Sequence, residues 1–148
     1  MFRIKFPKGW LIRDGDGPNV VKKAIDEING SVIAILVKPY IHNPLTDAEL
    51  NEGIDGFIEG MKVYDKNAQV LEKGIRYISY RKSSYAKARV TMKSLDQSKE
   101  GIIVVYSTFN KGKMYIIQAS APTEVFSEVE PILNASIGSF FIEDFSKQ

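Results

Sequence analysis

The chain has 148 residues, of which 44% are hydrophobic and 26% charged, and its formal net charge is +2 at pH 7. That size suits one domain with a core of its own, 1–148, and the composition excludes a disordered chain. The absence of cysteine excludes disulfides, thiolate nucleophiles and cysteine-ligated metal sites. The single histidine, His42, excludes mechanisms that need two, and the net charge is too small to imply a partner by itself.

Met1 is followed at once by Phe2-Arg3-Ile4-Lys5-Phe6, which alternates at the two-residue period of a strand. No charged n-region, apolar h-region or cleavage site precedes it. Two placements stay open: a cytoplasmic protein, or an exported or lipid-anchored one whose leader was removed. Pro7-Lys8-Gly9 reads as a turn, and Trp10-Leu11-Ile12 resumes an extended segment. Asp14-Gly15-Asp16-Gly17-Pro18-Asn19 is a second turn cluster. Val20 to Ile28 carries apolar residues at helical spacing, but it is short and uncapped and reads as strand. Asn29-Gly30 is a hairpin signal. Val32 to Val37 is the longest aliphatic run, far short of the roughly 20 apolar residues of a membrane helix.

The next segment is helical. Thr46 and Glu49 have capping-box spacing, in which a hydroxyl and a carboxylate satisfy each other's backbone amides. Leu50, Ile54, Phe57, Ile58 and Met61 make its apolar stripe. Gly53, Gly56 and Gly60 line one flank. Since each glycine weakens a helix by about 1 kcal/mol, the pattern predicts close helix–sheet packing there; the alternative is a shallow groove for a ligand or partner chain.

Val70 to Lys93 reads as strand, turn, strand, with Arg81-Lys82-Ser83-Ser84 as the turn. After it, Ala86, Ala88, Val90 and Met92 alternate with Lys87, Arg89, Thr91 and Lys93, the pattern of a half-buried antiparallel strand. Leu95 to Gly101 reads as a polar loop. Ile102–Phe109 and Met114–Ala119 are apolar strands around Asn110-Lys111-Gly112-Lys113, a hairpin. A last helix begins near Thr123. Ser127 and Glu130 repeat the capping-box spacing, and Pro131 fits a first helical turn better than an interior. Phe140-Phe141-Ile142 closes as a short strand. Strands apolar on both faces need a cover on each side. The expectation is an α+β fold: an antiparallel sheet of about six strands sandwiched between two helices.

Phe2-x-Ile4-x-Phe6-Pro7-x-Gly9-Trp10 resembles the opening of the PsbP-like superfamily, which includes PsbP subunits of photosystem II, a Ran-binding nuclear import factor and exported bacterial proteins of unknown role. The ending is similar too: Tyr115-Ile116-Ile117, Ala121-Pro122-Thr123, a helix with Phe126 and Pro131, then Ile137-Gly138-Ser139-Phe140. The resemblance spans nearly the whole chain. It rests on apolar and turn residues, so it speaks for fold and hardly for chemistry. It implies an antiparallel sheet between helices and accessory or binding roles without a shared catalytic centre. The chain departs from the family in lacking the long N-terminal segment of plant PsbP, the histidines of metal-binding relatives and any matched Ran-contact motif. An uncharacterised bacterial relative is the best fit.

Catalytic signals are sparse. His42 lies in Tyr40-Ile41-His42-Asn43-Pro44 and has no Gly-x-Ser-x-Gly serine turn to serve. Asp14-Gly15-Asp16 begins like a calcium loop, but Pro18 and Ile25 stand where two further oxygen ligands are needed, so it reads as a plain turn. No phosphate-binding glycine motif occurs. No enzyme activity, metal or small-molecule cofactor is therefore expected.

Charge is the uneven feature. Lys73 to Lys93 holds seven cations and no acid, so the remainder of the chain is net acidic. Tyr77, Tyr80 and Tyr85 are interleaved. The binding candidates are Arg76, Tyr80, Arg81, Lys82, Tyr85, Lys87, Arg89 and Lys93, with Lys87, Arg89 and Lys93 sharing a face beside Tyr85. The bland reading is a solvated sheet edge guarded by cations. The functional readings are contact with an unidentified protein, or an anion-binding surface for anionic lipid or polyanion. Nucleic acid is disfavoured because no recognised binding module surrounds the patch.

Overall fold

The computed structural model describes residues 1–42, 46–93 and 98–143, the Lys93 side chain excepted. In chain order the elements are β1 (Phe2–Arg3), β2 (Leu11–Asp14), β3 (Val20–Ile25), β4 (Val32–Pro39), α1 (Asp47–Tyr64), β5 (Gln69–Ile78), β6 (Arg81–Lys93), β7 (Ser98–Asn110), β8 (Lys113–Pro122), α2 (Thr123–Gly138) and β9 (Phe141–Ile142). The main sheet is antiparallel, with seven strands in the order β2-β3-β4-β8-β7-β6-β5. β1 and β9 form a separate antiparallel pair. The expected six-stranded sheet is therefore one strand short, because the brief β2 adds an edge.

Local chemistry sets many of the boundaries. Thr46 caps α1: its hydroxyl accepts the Glu49 amide at 3.2 Å and donates to the Glu49 carboxylate at 3.0 Å. Lys111 and Gly112 both take positive φ in the two-residue turn between β7 and β8, matching the strands' twist. Gly30, at φ 80, closes the turn between β3 and β4. Gly15 is obligatory for space rather than for φ: a Cβ there would lie 1.4 Å from the Val20 carbonyl oxygen.

Strand register fixes the two faces. Tyr85, Tyr106, Ile117 and Ile35 lie opposite one another across four strands and join a core with Phe126, Val129, Leu133 and Ile137 of α2. The reverse face carries Ser84, Ala86 and Val105, and the buried Ser84 hydroxyl donates to the Leu50 carbonyl of α1 at 2.9 Å. The helices thus lie on opposite faces, α1 over β5 and β6 and α2 over β7 and β8. They are staggered covers rather than two full layers.

Five expectations are corrected. Arg81 to Ser84 is strand, and the turn is Ser79-Tyr80. β6 is not half-buried, because α1 covers one face of it and Lys87 on the other reaches α2. Ser98 to Gly101 belongs to β7; Leu95 to Gln97 lie outside the described residues. Ser127 and Glu130 do not cap a helix, and Pro131 stands inside α2. Proline forfeits the bond to the carbonyl four residues earlier, here Ser127; both residues are exposed, so the helix tolerates the loss on its solvent side. Finally, nothing lies within 4 Å of a Cβ at Gly53, Gly56 or Gly60: the glycine flank is open, not closely packed.

Leu133, 1% exposed, is the deepest residue of α2. Leu133→Ala is expected to cost about 2–5 kcal/mol from lost contacts and the cavity left behind. Thermal unfolding should show it as a fall of roughly 2–4 °C per kcal/mol for a chain of this size.

Candidate functional site

The basic segment is a single hairpin, β5 and β6, joined by Ser79 and Tyr80 at φ 45° and 69°. Such mirror-image turns suit β-twist but favour glycine and asparagine. A left-handed non-glycine residue costs on the order of 1 kcal/mol, and here the rest of the fold holds it in place. The Ser79 hydroxyl donates to the carbonyls of Phe140, at 2.5 Å, and Gly138, at 3.4 Å, fastening the tip to the end of α2.

Strand alternation divides the cations between the two covered faces. Towards α1, Lys73 meets Asp55 at 2.9 Å and Lys82 meets Asp47 at 2.8 Å; the Asp47 bond raises the Lys82 pKa. On the α2 side, Lys87 meets Glu130 at 2.9 Å and sits 5.0 Å from the Phe126 ring centre, while Arg89 meets Glu100 at 3.4 Å. Arg76 meets Glu72 at 2.9 Å and lies 3.8 Å over the Tyr85 ring. Tyr85, only 4% exposed, donates its hydroxyl to Glu72 at 2.7 Å. Burial and that bond push the Tyr85 hydroxyl well above its ordinary pKa. The same bond, against some desolvation and with the charges of Arg76 and Lys87, holds Glu72 below the usual carboxylate range.

The eight expected binding residues therefore do not make one open surface. Arg76, Lys82, Lys87 and Arg89 are ion-paired, and Tyr85 is core. Lys93 ends β6, opposite Ser98, and its side chain lies outside the described residues. Tyr80, 98% exposed, and Arg81, which has no carboxylate partner among the described residues, stand at the tip.

The fold adds residues that sequence reasoning missed. β4 ends, β8 begins and the β5–β6 tip turns at the same end of the sheet. Tyr77, Tyr40 and Ile41 project there, 65%, 38% and 91% exposed, and Tyr40 rests on Phe109. Lys38 and Lys113 flank them without carboxylate partners among the described residues. From β4 to β5 is four strand spacings, about 19 Å. No local signal links positions 40, 77 and 113; only the strand order does.

His42 is exposed. Asp14 and Asp16, the apparent calcium-loop residues, are engaged by Lys22 and Lys23. Among the described residues no group of three or more His, Asp and Glu is placed to hold a metal ion, and no helix is long and apolar enough to cross a membrane.

No protein-family model matches the sequence, and no curated protein matches it. Solved structures do. Cyanobacterial PsbP from Synechocystis has a TM-score of 0.70 at 18% identity, covering 96% of this chain and 86% of that one. LpqN of Mycobacterium tuberculosis, described as involved in cell envelope biogenesis, has a TM-score of 0.57 at 10% identity, covering 97% and 83%. A Pseudomonas aeruginosa protein of unknown function has a TM-score of 0.58 at 8% identity, covering 97% and 98%. The chain has the PsbP-like fold, with a large antiparallel sheet and two helices.

The lowered pKa of Glu72 has a pH consequence. Its carboxylate stabilises the folded state above the ordinary value of 4.5, and that contribution is lost as pH falls through the lower folded value. In urea titrations between about pH 5 and about pH 3, Glu72→Gln should flatten the acid-side loss of stability and leave the neutral side unchanged in slope.

Proposed function

We propose that the chain is a non-catalytic binding or accessory domain that engages a protein partner through the loop end of its sheet. The observation that carries this reading is Tyr80: an aromatic side chain held 98% exposed in a left-handed turn. Backbone strain persists where the surrounding fold enforces it and concentrates at functional positions. Tyrosine is also the residue type that concentrates binding energy at interfaces, and Tyr77 and Tyr40 stand at the same end. Tyr77 and Tyr80 keep most of their ring surface in water, an exposure that stability does not explain.

A second reading, binding of an anionic surface, is supported by Lys38, Arg81 and Lys113. It shifts from the body of the basic hairpin, where five cations are already paired, to the loop end. Unpaired cations near anionic lipid contribute about 1 kcal/mol each.

Tyr80→Gly separates function from stability. Glycine relaxes the turn, so thermal unfolding should be unchanged or slightly raised. A protein retained from the native extract by the immobilised wild-type chain should be lost with this variant; equal retention defeats the protein reading. Vesicles test the second reading: the triple variant Lys38→Gln, Arg81→Gln, Lys113→Gln should bind anionic vesicles less well than wild type, and equal co-sedimentation defeats it.

A further inference from the structure

A groove of about 880 Å³ lies between the N-terminal segment and the β2–β3 hairpin. Its apolar walls are Phe2, Ile4, Phe6, Ile12, Val21 and Phe141. Ile12, Val21 and Phe141 are among the exposed large apolar side chains of the chain, so three residues from three separate elements leave apolar surface in water around one concavity. The size falls in the range of small-molecule sites.

The groove is built by an irregularity. The register between β3 and β4 slips between Val20 and Lys22, leaving Val21 unpaired in a bulge. Bulges re-aim side chains, and Val21 is turned into the groove. Gly15 makes the bulge possible: its amide donates to the Val21 carbonyl at 3.2 Å, and it passes the Val20 carbonyl too closely for any Cβ.

The charged lining is one-sided. Arg3, Lys5 and Lys22 line the groove, and among the described residues no carboxylate does. Glu143 engages Arg3 at 2.8 Å and Asp14 engages Lys22 at 3.3 Å from outside the lining, while Lys5 has no carboxylate partner among the described residues. The occupant these features fit has an apolar body and a negative end. We propose that this groove binds an amphiphile of one alkyl chain with an anionic head, the chain lying along Phe2, Ile4, Ile12 and Val21 and the head beside Lys5. This is independent of the loop-end binding surface.

The test is calorimetric titration of the full chain with monomeric laurate, dodecyl phosphate and dodecyltrimethylammonium, each below its micelle concentration. Saturable binding of one equivalent is expected for both anions, at least about tenfold tighter than for the cation, about 1.4 kcal/mol. Val21→Trp, which fills the groove from an exposed position, should weaken laurate about tenfold or more, and Lys5→Glu should bring anion and cation to similar affinity. Ile12→Asp, also at an exposed position, serves if Val21→Trp perturbs the circular dichroism spectrum. The proposal is overturned if laurate does not saturate, if the cation binds as tightly to the wild type, or if both groove variants bind laurate unchanged. Binding to anionic vesicles with none to monomeric laurate would also overturn it, since that marks a surface rather than a groove.

Discussion

The two-residue period of a strand governs how this molecule handles its charge. Neighbouring side chains of β5 and β6 point to opposite faces, and both faces are covered. Five of the seven cations close in sequence are therefore dealt out to acids on the two helices and within the sheet. α1 supplies Asp47 and Asp55, and α2 supplies Glu130. Glu72 and Glu100 come from the sheet itself. Exposed pairs of this kind each contribute about 0–1 kcal/mol, so their role is less to stabilise than to let helices carrying net negative charge lie on a basic hairpin. Lys87 is the exception, since it is more enclosed than the others, and removing its partner would strand a half-buried charge. What escapes neutralisation is what lies past the helix ends, at the turns.

Much of this is legible in the sequence, and the failures have physical causes. Thr46 with Glu49, Asn29-Gly30 and Lys111-Gly112 announce themselves because cap and turn chemistry is local. Val20 to Ile25 resolves as strand although its apolar spacing suits a helix, because β2 and β4 flank it on both sides. Ser79-Tyr80 is silent because neither residue favours a left-handed turn; tertiary bonds from Ser79 to the end of α2 impose it. Pro131 misleads because a helix interior tolerates proline on its solvent side. The glycine flank of α1 misleads because open space and close approach give the same sequence signature.

One cause explains where the binding candidates lie in the fold. Alternation over 73–93 correctly places Lys87 with Arg89 and Tyr85 on one face, yet it carries no information on whether a helix sits there. Tyr85 is consequently core. The residues that do remain open come from positions 38–41, 77–81 and 113, and they converge only through the order β4-β8-β7-β6-β5. The fold class was readable from covers and strands; the loop-end surface required the topology.

The last turn of α2 ties the loop end to the groove. Ser79 hangs the hairpin tip on the carbonyls of Gly138 and Phe140. In the same turn, Ser136 and Ser139 hold the backbone of Lys5: the Ser136 hydroxyl donates to the Lys5 carbonyl at 2.8 Å, and the Lys5 amide donates to the Ser139 hydroxyl at 2.8 Å. The buried Phe140 stacks on Phe2 with ring centres 5.6 Å apart and meets Tyr115 at 6.1 Å. A molecule that wedged the N-terminal segment off the sheet would break the bonds that orient Lys5 and loosen the ring packing beneath the tip. One that lay on the open side of that segment would break neither. Phe2 belongs both to the groove wall and to the stack on Phe140, so the two surfaces stay energetically separate only for an occupant that leaves Phe2 in place, since additivity holds for sites without shared partners.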